Sequence, residues 1–139
     1  MAMNDMNENL RRINAAIENY SGALMSNTKW KKVLDAAGKL EIPIQFAFVR
    51  EEEFMSENIF PIGGYVEDRT MDCTIHGPIQ FREIYAIKFP RYQIMMKSKT
   101  GEKYRDESRF NSFLDELNSI GNFELSTDDD SGILYAYSK

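Results

Sequence analysis

A single cysteine, Cys73, leaves the chain unable to form an internal disulfide, and a single histidine, His76, confines any thiol–imidazole chemistry to one pair. Three residues apart on an extended segment, these side chains point to opposite faces, whereas a catalytic dyad requires hydrogen-bond contact. A zinc site would need two further ligands, and the nearest are carboxylates such as Asp72. No apolar run is long enough to cross a bilayer. Acidic and amide residues fill the N-terminal region where a signal peptide carries its apolar segment. A basic excess is also lacking: 17 Lys and Arg against 22 Asp and Glu give a net charge of −5. Such a field repels phosphate and attracts a basic partner. Gly63-Gly64 has neither the lysine nor the helix of a phosphate loop, and the carboxylates are too many to single out a catalytic pair. The expectation is a cytoplasmic protein that is not an enzyme and holds no cofactor and no metal.

What is present is the material of a folded domain. The apolar fraction of 42% and the aromatic fraction of 12% are those of a globular chain with a core. Leu10, Ile13, Ile17, Tyr20 and Leu24 recur at steps of three and four and predict an amphipathic helix, with Asn7 as its N-cap. That stripe must dock, either on its own domain or on a second copy. Trp30, Val33, Leu34 and Ala37 predict a second helix, capped by Asn27 or Thr28 and closed by Gly38. Its first turn carries Lys29, Lys31 and Lys32, the wrong end for cations against the helix dipole. Lys31 can reach Asp35 one turn on. Met25 therefore opens a single α+β domain over residues 25–139, and residues 1–24 form an N-terminal helical extension.

Beyond Pro43 the period changes to two. Ile44, Phe46 and Phe48 alternate with Gln45, Ala47 and Val49, predicting a strand. Residues 65–75 form a less regular strand, and Phe81, Tyr85, Ile87 and Phe89 give the strongest strand pattern. A further strand at residues 92–97 precedes the turn Lys99-Thr100-Gly101-Glu102. Phe110, Phe113, Leu114, Leu117 and Ile120 make the apolar face of a last helix, capped by Asp106 or Ser108 and stopped by Gly121. Two strands joined by a tight turn at Asp128-Asp129-Asp130 close the chain as a hairpin. Successive strands with short connections argue for an antiparallel sheet of five or six strands with helices packed on one face.

Two features suggest binding. Counting by twos from Phe81 puts Glu83 on one face with Tyr85, Ile87 and Phe89, where a carboxylate must reach solvent or meet a cation. Glu51, Glu52 and Glu53, with Asp128 to Asp130, form acidic loops suited to docking a basic protein.

The stretches "SNTKWKKVLDAAG", "GPIQFREIYAI" and "SGILYAY" together resemble an uncharacterised family of small bacterial proteins. Its members open on an Asn-Thr-Lys-Trp helix start, carry a Gly-Pro and a glutamate-bearing strand, and end on an apolar-aromatic strand. Trp30, Glu83 and Tyr135 match that pattern, and Tyr85 stands where an acidic or aromatic residue is expected. Such proteins are similar to the immunity or accessory proteins of bacterial toxin systems. The resemblance implies no catalytic residues, and it implies a protein-binding module, of immunity type, with a protein partner.

Two alternatives remain on the sequence. Lys29, Lys31, Lys32 and the basic residues of 97–109, with Tyr92 and Tyr104 to stack bases, would suit a nucleic-acid-binding domain, although Glu102, Asp106 and Glu107 dilute that charge. The stripe over residues 10–24 would suit a self-associating structural protein that forms a homo-oligomer.

Overall fold

Ser26, one residue ahead of the expected caps, accepts a 3.1 Å hydrogen bond from Lys29 N and starts helix α2, Asn27–Lys39. Gly38 lies inside that helix, and Glu41 takes the left-handed conformation at φ 56°. Ile42 N donates to Ala37 O at 2.9 Å and Glu41 N to Gly38 O at 3.1 Å, the paired bonds of a Schellman closure. The computed structural model describes residues 2–61, 66–73 and 77–139. Residues 62–65, with the Gly63-Gly64 turn, and 74–76, with His76, fall outside them, as does the side chain of Cys73, so the strand expected over residues 65–75 lies only partly within the described residues.

Helix α1 spans Ala2–Glu18, so Asn7 is an interior residue of it. A short strand β1, Gly22–Ala23, follows, and then α2. Strands β2 (Gln45–Phe48), β3 (Thr70–Cys73) and β4 (Gly77–Gln80) precede a 3₁₀ turn at Phe81–Glu83. Then come β5 (Ile84–Pro90), β6 (Gln93–Met96), β7 (Lys103–Asp106), helix α3 (Ser108–Ile120), β8 (Glu124–Thr127), β9 (Ser131–Tyr135) and β10 (Tyr137–Ser138). The class is α+β, and among the described residues every ladder is antiparallel. The strands divide among a four-stranded sheet of order β2-β5-β9-β8 and three two-stranded ribbons, β1–β10, β3–β4 and β6–β7. Strand β7 has no apolar alternation, which is why its sequence reads as a loop; it forms because the turn before it brings it back along β6.

The central strand β5 is buried along most of its length, and α3 covers one face through Phe89. The Phe89 ring meets Phe113 edge-on at 4.9 Å and Phe110 at 5.8 Å. Gly132, opposite Phe89 in the ladder, leaves room for that ring. Trp30, Val33, Leu34 and Ala37 of α2 are buried in the same core, as are Phe46, Ile87 and Leu134. Each such side chain contributes about 1.5–3 kcal/mol through removal from water.

The segment from Ile13 to Leu24 docks on its own chain. Ile13 is buried, β1 pairs with β10, and Ser21 N and Leu24 N each donate 2.8 Å bonds to Ser138 O and Ala136 O. The stripe that sequence periodicity places on α1 is thus largely spent within the molecule, although Leu10 is still exposed. Two of the lysines of α2's first turn are also placed by tertiary contacts. Lys31 pairs with Asp68 at 3.7 Å, and Lys29 Nζ donates to Asn122 O and sits 5.5 Å from the Phe123 ring centre.

Candidate functional site

The connection from β5 to β6, the C-terminal end of α2 and the chain around Phe60 together line a groove of ≈ 1150 Å³. Pro90, Tyr92 and Ile94 come from the first, Gly38 and Lys39 from the second, and Phe60 with Pro61 from the third. The Schellman closure of α2 helps shape it, because the left-handed Glu41 presents both backbone and side chain toward neighbouring elements. Its carbonyl accepts a bond from Gln93 Nε2 at 3.4 Å, and its carboxylate lies 3.6 Å from Arg109 of α3.

Large apolar side chains gather there and on the adjoining ribbon. Phe60 is 53% exposed, Ile94 63%, Met96 61% and Tyr104 43%. Isolated exposed apolar residues are ordinary, but several close together mark a contact surface. The β6–β7 ribbon carries three of them. Its loop closes through Gly101, at φ 70°, with Lys97 N donating to Glu102 O and Gly101 N to Lys97 O. Opposite one another across the ladder stand Ile94 and Arg105, then Met96 and Lys103, so these four share a face. On the same ribbon the Arg105 guanidinium lies 4.8 Å from the Tyr92 ring centre.

The sequence-derived site residues fall elsewhere. Trp30 is 2% exposed and belongs to the core. Glu83 ends the 3₁₀ turn, so counting by twos does not reach it from Tyr85. Its carboxylate accepts from Gln80 N at 3.4 Å. Burial pushes its pKa up, and the Gln80 N–H, Arg50 and Arg82 work against that shift. Tyr85 is the extra residue of a bulge, because Ala47 pairs with Ala86 and Phe48 with Ile84. The bulge turns Tyr85 away from the Ile87–Phe89 face toward Tyr135, which lies opposite Ala86 and meets the Tyr85 ring edge-on at 5.9 Å.

Tyr85 and Tyr135 join a second cluster. Tyr20 stacks on Tyr137 at 4.9 Å and on Tyr85 at 5.6 Å. Glu52, at φ 59°, is turned into this cluster. Its carboxylate accepts a 2.5 Å bond from the Tyr20 hydroxyl and a 2.6 Å bond from Lys139 Nζ, which lies 5.3 Å from the Tyr85 ring centre. These bonds, Lys139 first, hold the Glu52 pKa down; burial, then Glu52, push the Tyr20 pKa well above its ordinary value. Glu51 and Glu53 are left exposed, without Glu52, so the expected triple-acid surface is broken in the middle. The other acidic loop is partly engaged as well. Asp128 Oδ1 accepts from Asp130 N at 2.8 Å and Ser131 N at 2.7 Å, which shapes the turn into β9.

The Glu52 carboxylate at the centre of the tyrosine cluster is therefore engaged by Tyr20 and Lys139, whereas the apolar side chains of the groove stand exposed. Sequence reasoning missed the groove, because Phe60 sits in a short apolar run, Ile59-Phe60-Pro61-Ile62, too brief to show a helix or strand period; the only available signal was the alternation of Tyr92, Ile94 and Met96. Among the described residues no three Cys, His, Asp or Glu side chains converge as metal ligands, and no helix is long and apolar enough to cross a membrane. Comparison with protein-family models, with curated proteins and with solved structures found no match for this chain.

Proposed function

We propose that this chain is a protein-binding module whose contact surface is the groove beside the β6–β7 ribbon. One observation carries the reading: Phe60 and Ile94, both more than half exposed, line the same groove. Burying two such side chains against a partner is worth several kcal/mol before the cost of association. The reading assigns no catalytic step to the chain and places it in a reducing compartment, in keeping with its single cysteine. The resemblance read from the sequence supports a more specific form, in which the bound protein is a bacterial toxin and the module is of immunity type.

The test is affinity capture from the native cell with the wild-type chain and with a Phe60→Ser/Ile94→Ser variant. The double variant, melting like the wild type, is expected to lose a protein that the wild type retains. Retention of every captured protein by the variant would remove the groove from consideration.

A further inference from the structure

The charge of the chain is unevenly placed. Residues 91–105 hold five basic residues (Arg91, Lys97, Lys99, Lys103 and Arg105) and one acidic residue, Glu102, a local charge of +4. With a total of −5, the remainder of the chain carries −9. A net-charge argument points to a basic partner, but at physiological ionic strength screening acts over about 8 Å. A partner at the ribbon therefore meets the local charge first.

The ribbon also has an unused edge. Strand β6 pairs with β7 alone among the described residues. The bond from Lys97 N to Glu102 O sets the alternation of the ladder, which leaves the N–H and C=O groups of Ile94 and Met96 pointing outward. Outward backbone groups, exposed Ile94 and Met96 side chains, and Lys103 and Arg105 on the same face lie together beside the groove.

We infer that the edge of β6 accepts an extended segment of a partner protein that carries apolar and acidic residues in turn at every second position, so that both kinds stand on one face, adding to the ribbon as a third strand. The inference rests on the protein-binding reading above and names the chemistry of what is bound. Backbone bonds to Ile94 and Met96 supply the pairing, and on the face those side chains share with Lys103 and Arg105 the segment's apolar residues pack on Ile94 and Met96 while its carboxylates reach over β6 toward the two cations. A second ribbon of this same chain is the wrong occupant, because two local charges of +4 would repel at the edge.

The probe is a labelled peptide of repeating Val-Thr-Glu-Thr, which puts Val and Glu on one face, long enough to span β6, titrated into the full chain by fluorescence polarisation. Controls are a peptide of repeating Val-Thr-Lys-Thr and an oligothymidylate. The acidic peptide is expected to bind at least about tenfold more tightly than either control, with affinity falling as salt rises. Met96→Pro removes an outward N–H without removing a bond to β7, and Lys103→Glu/Arg105→Glu brings the local charge from +4 to zero. Each variant, with an unchanged melting temperature, is expected to weaken binding about tenfold or more.

Equal binding of the two peptides, or undiminished binding by either variant, overturns the inference. So does stronger binding of oligothymidylate, which would make the ribbon a nucleic-acid surface. If no peptide binds while Phe60→Ser/Ile94→Ser still loses a native protein, strand addition fails and the protein-binding reading stands. If that variant also keeps all its proteins, both fail.

Discussion

The hydroxyl of Tyr20 donates a 2.5 Å hydrogen bond to Glu52 Oε2, across 32 residues of sequence. It ties the segment after α1 to a loop held in the left-handed conformation at Glu52. Lys139 is bonded to the other oxygen of the same carboxylate, so the segment after α1 and residue 139 meet at Glu52. Tyr20→Phe keeps the stacking and removes the bond. Its expected cost is about 1 kcal/mol, since the site is only partly buried. Chemical denaturation followed by the fluorescence of Trp30, buried and the only tryptophan, measures it. Glu52→Gln should show coupling with Tyr20→Phe in a double-mutant cycle, and strict additivity would contradict the bond.

The same groups set the pH dependence. Glu52 and Asp128 have pKa values held below their ordinary 4.5 and 3.8, by Lys139 and Tyr20 in one case and by the Asp130 and Ser131 N–H groups in the other. A depressed carboxylate stabilises the folded chain above its ordinary pKa and ceases to do so as pH falls through the depressed one. Tyr20 and Lys139 are raised above 10.0 and 10.5, so their contribution is present below those values and is lost as pH climbs past them. Stability should therefore fall at both ends. Asp128→Asn should flatten the acid limb alone, and Tyr20→Phe should blunt the alkaline limb.

A β-carbon on Gly132 would lie 2.6 Å from Phe89 Cε2 and 3.2 Å from Phe110 Cε2. Phe89 cannot retreat, because Phe113 stands against it at 4.9 Å. Gly132→Ala should destabilise the chain by about 1–3 kcal/mol through overpacking between β9 and α3. Thermal melting checks this, and an unchanged midpoint would mean that the aromatic contact is looser than described.

Glu41→Gly should act in the opposite sense. A non-glycine residue in the left-handed region costs roughly 1–2 kcal/mol. Glycine recovers part of that, less its greater freedom in the unfolded chain and the loss of an exposed pair with Arg109 at 3.6 Å. The expected net gain is about 0.5 kcal/mol, read as a higher denaturant midpoint at constant slope.

Much of the architecture was legible from local pattern. The apolar faces of α2 and α3, the strand alternation at Phe46 and along Ile87–Phe89, and the closing hairpin at Asp128 are short-range features, and the antiparallel α+β class follows from them. The same reasoning misplaced what depends on one residue more or less. The cap of α2 fell at Ser26 and not at Asn27 or Thr28, and Glu41 replaced Gly38 as its left-handed residue. The 3₁₀ turn at Glu83 and the bulge at Tyr85 broke a count by twos that had joined these two residues on one face.

The candidate site was hidden for a further reason. Periodicity reports which side of an element turns inward, and that is set by neighbours three or four residues away in a helix and two in a strand. Whether an acid is free or bound depends instead on partners far along the chain, as with Glu52 and Lys139, separated by 87 residues. The groove arises in the same way, where Phe60, the end of α2 and β6 converge. Short-range order is written in spacing, whereas the gap left between elements exists only after they have packed.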